Sequence, residues 1–317
     1  MDSRVLEYFL RVGELGSINR AAADLHLSQP ALSRHIAVVE HEFGVRLFTR
    51  NHGGVQLTDA GRLLSDRARP ILRQLTILKG QVGEKASGQV AIGLPGSWQG
   101  VFTTGLVQTM VTQFPAIALR VQEGVSNVLR ENMLGGLLDL AIVAFDAEFT
   151  AGYQQTPLVR EPMLLVGPAN SKQNARGMVT IDELDGLKLA VPGRPSVLRV
   201  QLENALARKN LVLGVAVETD VFAVCLNLAR SGACHTVVPA SALYAADASA
   251  GLSAVPIKNM FMTWALSENE ARSHSQAVAE TRRMVLGLVD QQLAGGQWRG
   301  AERAAHQGRA AEKLSAR

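Results

Sequence analysis

Residues 17–36 read Ser17-Ile18-Asn19-Arg20-Ala21-Ala22-Ala23-Asp24-Leu25-His26-Leu27-Ser28-Gln29-Pro30-Ala31-Leu32-Ser33-Arg34-His35-Ile36. This stretch decides the fold of the first quarter of the chain. Ser17 caps a short helix whose inward face is Ala21, Ala22 and Leu25. A second helix begins at Ser28, with Pro30 in its first turn, where a missing N–H costs nothing. Small Ala21 and Ala22 let the two helices approach closely, and Leu25, Leu32 and Ile36 fill their junction. The second helix opens with short polar side chains, as a helix must if its N-terminal end enters a DNA major groove. There Gln29 can pair with an adenine edge, Arg34 with guanine or a phosphate, and Ser28 and Ser33 can reach phosphates or bases. His35, one residue beyond Arg34, is a further DNA candidate. Gln29 or Arg34 alone would read as an ordinary surface residue; their combination at one helix end carries the reading.

On the N-terminal side, Val5, Leu6, Phe9, Leu10 and Val12 recur at helical spacing, and Gly13 to Gly16 breaks the run. On the C-terminal side, Leu32, Ile36 and Val39 face inward until His41–Gly44. Asn51-His52-Gly53-Gly54 then forms a turn between extended residues. Residues 1–58 are therefore expected to form three helices and a wing. Thr58 or Asp59 caps the next helix, which is predicted to run to about Glu84. Its apolar positions Leu63, Leu64, Ala68, Ile71, Leu72, Leu75 and Leu78 fall three or four apart, with Pro70 inside. A helix this long suits a two-helix seam, so 59–87 is read as a dimerising linker. Its hinge is Ala86-Ser87-Gly88-Gln89.

From Gln89 the pattern becomes an alternation of strands and helices. Strand-like runs are Val90–Leu94, Ile117–Gln122, Leu138–Val143, Met163–Gly167, Leu187–Val191, Gly214–Thr219, Thr236–Val238 and Phe261–Ser267. Helical runs are Gly100–Thr112, Val125–Leu134, Val197–Lys209, Val221–Ala229 and His274–Leu293. The alternation implies an α/β arrangement of sheets covered by helices. Extended stretches near 157–165 and 256–266 are candidate crossovers between two lobes. They divide the domain into 88–161 with 267–300, and 162–266. Residues 301–317, rich in Ala, Gly and Arg, are expected to fray.

Composition narrows the function classes. The chain has 317 residues, 47% hydrophobic and 19% charged, which supports folded cores and excludes whole-chain disorder. Residues 1–87 carry 12 basic and 9 acidic side chains, so the basic excess sits where the DNA reading is strongest. Cys225 and Cys234 are too few for a disulfide scaffold and match no zinc spacing; both are expected to be buried thiols. His26, His35, His41 and His52 show no ligand spacing either. No stretch has the length of a membrane span, and the N-terminus lacks a cleavable apolar region, so a soluble cytoplasmic protein is expected. There is no G-x-G-x-x-G, P-loop, G-x-S-x-G or H-E-x-x-H. The expectation is therefore not an enzyme, and no cofactor or metal.

In a two-lobed α/β domain, ligands bind beyond the C-terminal ends of the strands and between the lobes. Five loops have that position: Pro95–Gln99, Glu123–Ser126, Ala144–Asp146, Pro192–Val197 and Glu218–Asp220. Ser97, Ser126 and Ser196 otherwise read as helix caps, and Trp98 as packing on its own helix.

The N-terminal motif resembles that of a LysR-type transcriptional regulator. The shared pattern is Phe9, Val12, Gly16-Ser17, Ala21-Ala22, Leu25, Leu27 to Arg34, Ile36, Glu40, Gly44 to Phe48, Arg50, Leu57-Thr58 and Ala60-Gly61. The resemblance covers nearly the whole chain up to residue 300. It implies a winged helix-turn-helix, a dimerising linker helix and a periplasmic-binding-protein-like (type 2) effector domain of two lobes. It also implies Gln29, Pro30, Ser33 and Arg34 at the DNA, with Arg50 near the backbone. Ser97, Trp98, Ser126, Phe145, Pro195, Ser196 and Thr219 become the effector-binding candidates, because effector pockets in this family are lined from these loops. Glu218 and Asp220 flank the last of them. The stretch Gly135 to Ile142 is similar to the family's G-x-LD-x-AI segment and is structural. The expected partners are double-stranded promoter DNA, a small effector carrying a carboxylate or similar anionic group, further copies of the chain as homodimer and homotetramer, and RNA polymerase if the protein activates.

Departures from the pattern are few. Ile18 and Val39 replace a common Phe and Leu with similar bulk. Cys234 stands where a second glycine is usual, so the 231–235 turn is expected to differ locally. The run Gly295-Gly296-Gln297-Trp298-Arg299-Gly300 resembles the branch containing nitrogen-assimilation regulators. Two other classes remain open: a ligand-independent DNA-binding repressor or architectural protein, which leaves about 200 residues of binding-domain pattern unexplained, and an α/β enzyme.

Overall fold

The computed structural model describes residues 2–51, 54–81, 88–146, 153–172, 177–244, 249–270, 275–296 and 298–305. The chain divides into two compact units, the first formed mainly by Met1–Lys85.

In the first unit, helices α1 (Ser3–Leu15), α2 (Ile18–Asp24) and α3 (Gln29–Phe43) precede a hairpin of β1 (Phe48–Asn51) and β2 (Gly54–Leu57), then α4 (Asp59–Gln81). The hairpin is antiparallel, with Phe48 opposite Leu57 and Asn51 opposite Gly54. His52 and Gly53, at the expected turn, lie outside the described residues. Phe9, Val12, Ala21, Ala22, Leu32, Ile36, Val39, Leu47, Phe48 and Val55 form its core, so the helical and extended periodicities converge on one cluster. Thr58, rather than Asp59, caps α4: its Oγ1 accepts from Gly61 N at 3.0 Å and donates to Arg46 O at 2.8 Å. Gly61 is required there, because a Cβ at that position would stand 2.1 Å from the Leu47 carbonyl oxygen. Along α4, Ala68 is buried, whereas Leu63 and Ile71 are 61% and 52% exposed. The predicted end near Glu84 and the hinge residues Ala86 and Ser87 fall outside the described residues.

The second unit contains β3 (Gly88–Leu94), α5 (Thr104–Gln113), β4 (Ile117–Glu123), α6 (Ser126–Leu134), β5 (Leu140–Ala144) and β6 (Tyr153–Pro168). It continues through β7 (Leu189–Val191), α7 (Val197–Ala207), β8 (Val215–Glu218), α8 (Phe222–Arg230), β9 (His235–Pro239), β10 (Leu252–Asn269), α9 (Gln276–Ala294) and β11 (Glu302–Arg303). Its sheet runs β4-β3-β5-β10-β6-β9-β7-β8. Two parallel groups, β4-β3-β5 and β9-β7-β8, flank the antiparallel pair β10-β6. Each group places its first strand between its second and third, so the order is repeated in both halves. The long strands β6 and β10 lie between the two parallel groups, and their register shifts between Pro256 and Phe261.

Two differences from expectation have physical causes. The helix expected from Gly100 is preceded by a 3-10 turn (Gly96–Trp98) and a π segment (Gln99–Thr103), which carry Trp98, Val101 and Phe102 into the core. The expected frayed tail is ordered from 301 to 305: β11 pairs with β6, Arg160 holds Glu302 at 2.6 Å, and buried Trp298 anchors the approach. Residues 306–317 lie outside the described residues. In the 231–235 turn, Gly232 takes the left-handed conformation (φ 76°), so Cys234 needs none. Both cysteines are free and buried. The G-x-LD-x-AI segment has its structural reason in Asp139, whose buried carboxylate accepts from Ala91 N at 2.8 Å.

Candidate functional site

Two sites emerge, one in each unit. In the first, the N-terminal end of α3 is built as the sequence requires. Ser28 caps the helix by accepting from Ala31 N at 3.4 Å. Gln29 Nε2 donates to Ser33 Oγ, one turn on, at 2.8 Å. Ser28, Gln29, Pro30 and Arg34 are exposed, and Ser33 is half-buried. No described residue pairs with the Arg34 guanidinium. His35 differs from these: it is half-buried, its ring 5.2 Å from that of Tyr8, so it is engaged with α1. Arg50 stands on β1 opposite Val55, and its side chain lies outside the described residues. Glu40, near the C-terminal end of α3, ties helix to wing. Its carboxylate accepts from Leu47 N at 2.8 Å and Phe48 N at 3.2 Å and pairs with Arg46 at 3.0 Å. That network explains the Glu40 and Arg46-Leu47-Phe48 positions of the motif.

In the second unit, a cavity of about 450 Å³ lies at the C-terminal ends of the parallel strands of both halves. Ser97, Ser126, Ser196 and Thr219 all line it, from four separate loops. Ser126 Oγ accepts from Ala144 N at 2.9 Å, which joins the start of α6 to the end of β5. Thr219 Oγ1 accepts from Val221 N at 3.2 Å ahead of α8. Ser196 is the N-cap residue of α7, yet its side chain makes no capping hydrogen bond. Ser97 is 8% exposed, and its Oγ has no partner among the described residues.

Three candidates stand elsewhere. Trp98 is fully buried, with ring centroids 5.2 Å from Phe102, 5.9 Å from Trp264 and 4.8 Å from Trp298. It packs the core behind the cavity and does not form its wall. Phe145 is half-buried, and its N–H donates to Thr263 O at 2.7 Å. Its neighbour Ala144, the last residue of β5, lines the cavity and Phe145 does not. Pro195 is exposed on the outside of its loop, between lining residues Pro192 and Ser196.

The wall holds residues beyond the seven effector candidates. Glu123 and Asp220 line the cavity, as do Thr236, Met262 and Trp264. Glu123 and Asp220 follow the same strand-end rule that picked the hydroxyls; Thr236 and Trp264 lie within strands and give no such signal. The lining also includes Cys225, whose thiol is pushed up by burial. Behind Trp264 lies Glu161, a fully buried carboxylate on β6. It accepts from Trp264 Nε1, Trp298 Nε1 at 2.9 Å, Ser241 N at 2.6 Å and Ser241 Oγ at 2.9 Å. Burial pushes this carboxyl above its ordinary range, against the pull of its four donors. Among the described residues, no His, Cys, Asp and Glu cluster is able to hold a metal ion, and no helix is long and apolar enough to cross a membrane.

A helix-turn-helix with a wing, followed by a two-lobed α/β domain, defines a bacterial DNA-binding regulator. Residues 3–62 match the family model described as the bacterial regulatory helix-turn-helix protein of the lysR family, and residues 83–289 match the LysR substrate binding domain. The chain belongs to the LysR family of transcriptional regulators. It is 30% identical over 295 residues to the nitrogen assimilation regulatory protein nac of Klebsiella aerogenes, covering 91% of this chain and 95% of that protein. It is 31% identical over 306 residues to the HTH-type transcriptional regulator BbuR of Bordetella bronchiseptica, covering 95% and 94%. Among solved structures, full-length CbnR complexed with its target DNA shares the fold with a TM-score of 0.67 at 20% identity, covering 92% of this chain and all of that one.

Proposed function

We propose that the protein reads a specific promoter sequence through Gln29, Pro30, Ser33 and Arg34, and that a small metabolite bound in the two-lobed cavity sets its effect on transcription. The observation that carries this reading is the convergence of Ser97, Ser126, Ser196 and Thr219 on one cavity at the strand ends. In this reading 1–58 is the DNA-binding domain, 59–87 the linker, 88–161 with 267–300 one lobe and 162–266 the other. The strand order repeated in the two halves supports a periplasmic-binding-protein-like domain of type 2. The exposed Leu63 and Ile71 support dimerisation through α4, and pairing of dimers into tetramers is the family's arrangement. Arg50 serves the DNA backbone, and RNA polymerase is the partner if the protein activates. A cytoplasmic location goes with promoter DNA as partner. Placement beside the nitrogen-assimilation regulators rests on the identity to nac and on the Gly295–Gly300 run.

A ligand shifts such a protein only through unequal affinity for two states. DNase footprinting of the full chain on the region upstream of its own coding sequence tests the reading. A dimer should protect half-sites about 34–36 Å apart, or multiples of that spacing. Absence of any discrete protected site, or a monomeric mass by light scattering at micromolar concentration, would contradict it.

A further inference from the structure

We propose that the cavity takes a zwitterionic, amino-acid-like ligand, its ammonium group received by Glu123 and Asp220 and its carboxylate by the N-terminal turn of α7. The proposal rests on the effector reading above and names the chemistry of the molecule.

The charged groups in the wall point this way. Glu123 and Asp220 both line the cavity, and no Lys, Arg or His does among the described residues. A simple anion would meet two carboxylates and no cationic side chain, which is a repulsive arrangement. Glu123 lies against the Pro95–Gln99 strand-end loop: its Oε1 would stand 2.7 Å from a Cβ on Gly96. Asp220 accepts from Gly193 N at 3.2 Å and stands directly before the N-cap of α8, so its charge meets that helix end. The α7 terminus is different. Ser196, a residue type that normally closes a helix start, lines the cavity without making its capping bond, and Val197 and Leu198 of the first turn line it too. The open N–H groups there favour a carboxylate.

Two further features fit a small molecule with both groups. Ser97, more than nine-tenths buried on the cavity wall, has an Oγ with no partner among the described residues and so keeps a donor and an acceptor for a ligand. Trp264, Met262, Val125, Val128 and Phe222 supply the apolar wall for a side chain.

The test uses the full-length protein and matched probes. Free amino acids are compared with their des-amino acids, such as glutamate with glutarate and alanine with propionate, and with the corresponding decarboxylated amines. Thermal shift identifies binders, and calorimetry gives their affinities. At least one amino acid should bind about tenfold or more tightly than its des-amino and decarboxylated partners. Glu123→Gln and Asp220→Asn should each reduce that preference for the amino group about tenfold while the des-amino acid keeps its own weak affinity, which also reports that the variant is folded. The proposal is overturned if no amino acid binds, if a des-amino acid or an amine binds as tightly as its amino acid, or if both variants retain the preference. The effector reading fails separately: a probe that binds as expected but changes neither footprint nor transcription leaves the ligand class standing and removes the regulatory role. A des-amino acid that binds and shifts the footprint does the reverse.

Discussion

The helix starts of the first unit and the buried carboxylate of the second satisfy their polar groups over different distances. In the first unit each helix begins on a cap from its own vicinity: Asp2 accepts from Arg4 N, Ser17 from Arg20 N, Ser28 from Ala31 N and Thr58 from Gly61 N, two or three residues away. In the second unit the buried Glu161 reaches partners 80, 103 and 137 residues away, and α7 and α8 open on the cavity with no side-chain cap. Local closure makes a unit that presents a fixed helix end to an external surface. Long-range closure ties the two lobes behind the cavity, and the uncapped start of α7 leaves donors for something that is not part of the chain.

Removing Glu161 should show the largest effect. Glu161→Ala leaves two indole N–H groups and the donors of Ser241 buried and unpaired, and should lower stability by about 3–5 kcal/mol. Chemical denaturation followed by tryptophan fluorescence reads it; a loss under about 1 kcal/mol would mean that the long-range network is incidental. In the first unit, Gly61→Ala drives a Cβ into the Leu47 carbonyl and should cost about 1–3 kcal/mol, seen as a lower midpoint for its helical melting. An unchanged midpoint would show that α4 and the wing do not need their close approach.

Cap removal sharpens the contrast further. Thr58→Ala should cost about 1 kcal/mol, whereas Ser196→Ala should stay within about 0.5 kcal/mol, because the Ser196 side chain makes no capping bond. Equal losses for the two substitutions would erase the distinction between closed and open helix starts. The smallest effect is one of acidity. Arg11 holds the Asp24 carboxyl below its ordinary range through hydrogen bonds of 2.6 and 2.7 Å. A lowered folded pKa gives stability that is present above the unfolded value and lost as pH falls through the folded one. Melting of the first unit should therefore weaken slightly on acidification below about pH 4, and Arg11→Gln should abolish that part of the response. An identical acid response in both proteins would contradict the assignment.

The same difference in distance governs what the sequence discloses. The helix-turn-helix was legible because Ala21, Leu25, Leu32 and Ile36 lie within one short stretch and their packing follows from periodicity alone. The strand-end loops were also legible, since composition marks where a strand gives way to a helix. Their meeting follows from the strand-end rule, whereas the wall added from inside the strands by Thr236, Met262 and Trp264 has no local pattern to record it. The apolar pattern marks strand β6 only over Met163–Gly167, although the strand starts at Tyr153. Pro157, Arg160, Glu161 and Pro162 interrupt its apolar pattern and look like a crossover, and only pairing with β10 makes the segment one strand. Trp98 was legible as an aromatic residue beside a pocket loop; the partners that draw it inward, Trp264 and Trp298, lie far along the chain.

The central claim is that sequence discrimination resides in the N-terminal end of α3. The most direct measurement compares quantitative gel shifts of the full-length wild type with Gln29→Ala, Arg34→Ala and the double variant, each on the protein's own promoter and on a scrambled duplex at one fixed salt concentration. Each single substitution should cost about 1–3 kcal/mol on the promoter and much less on the scrambled duplex, so that discrimination collapses in the double variant. A folded double variant that still distinguishes the two duplexes as wild type does would contradict the account.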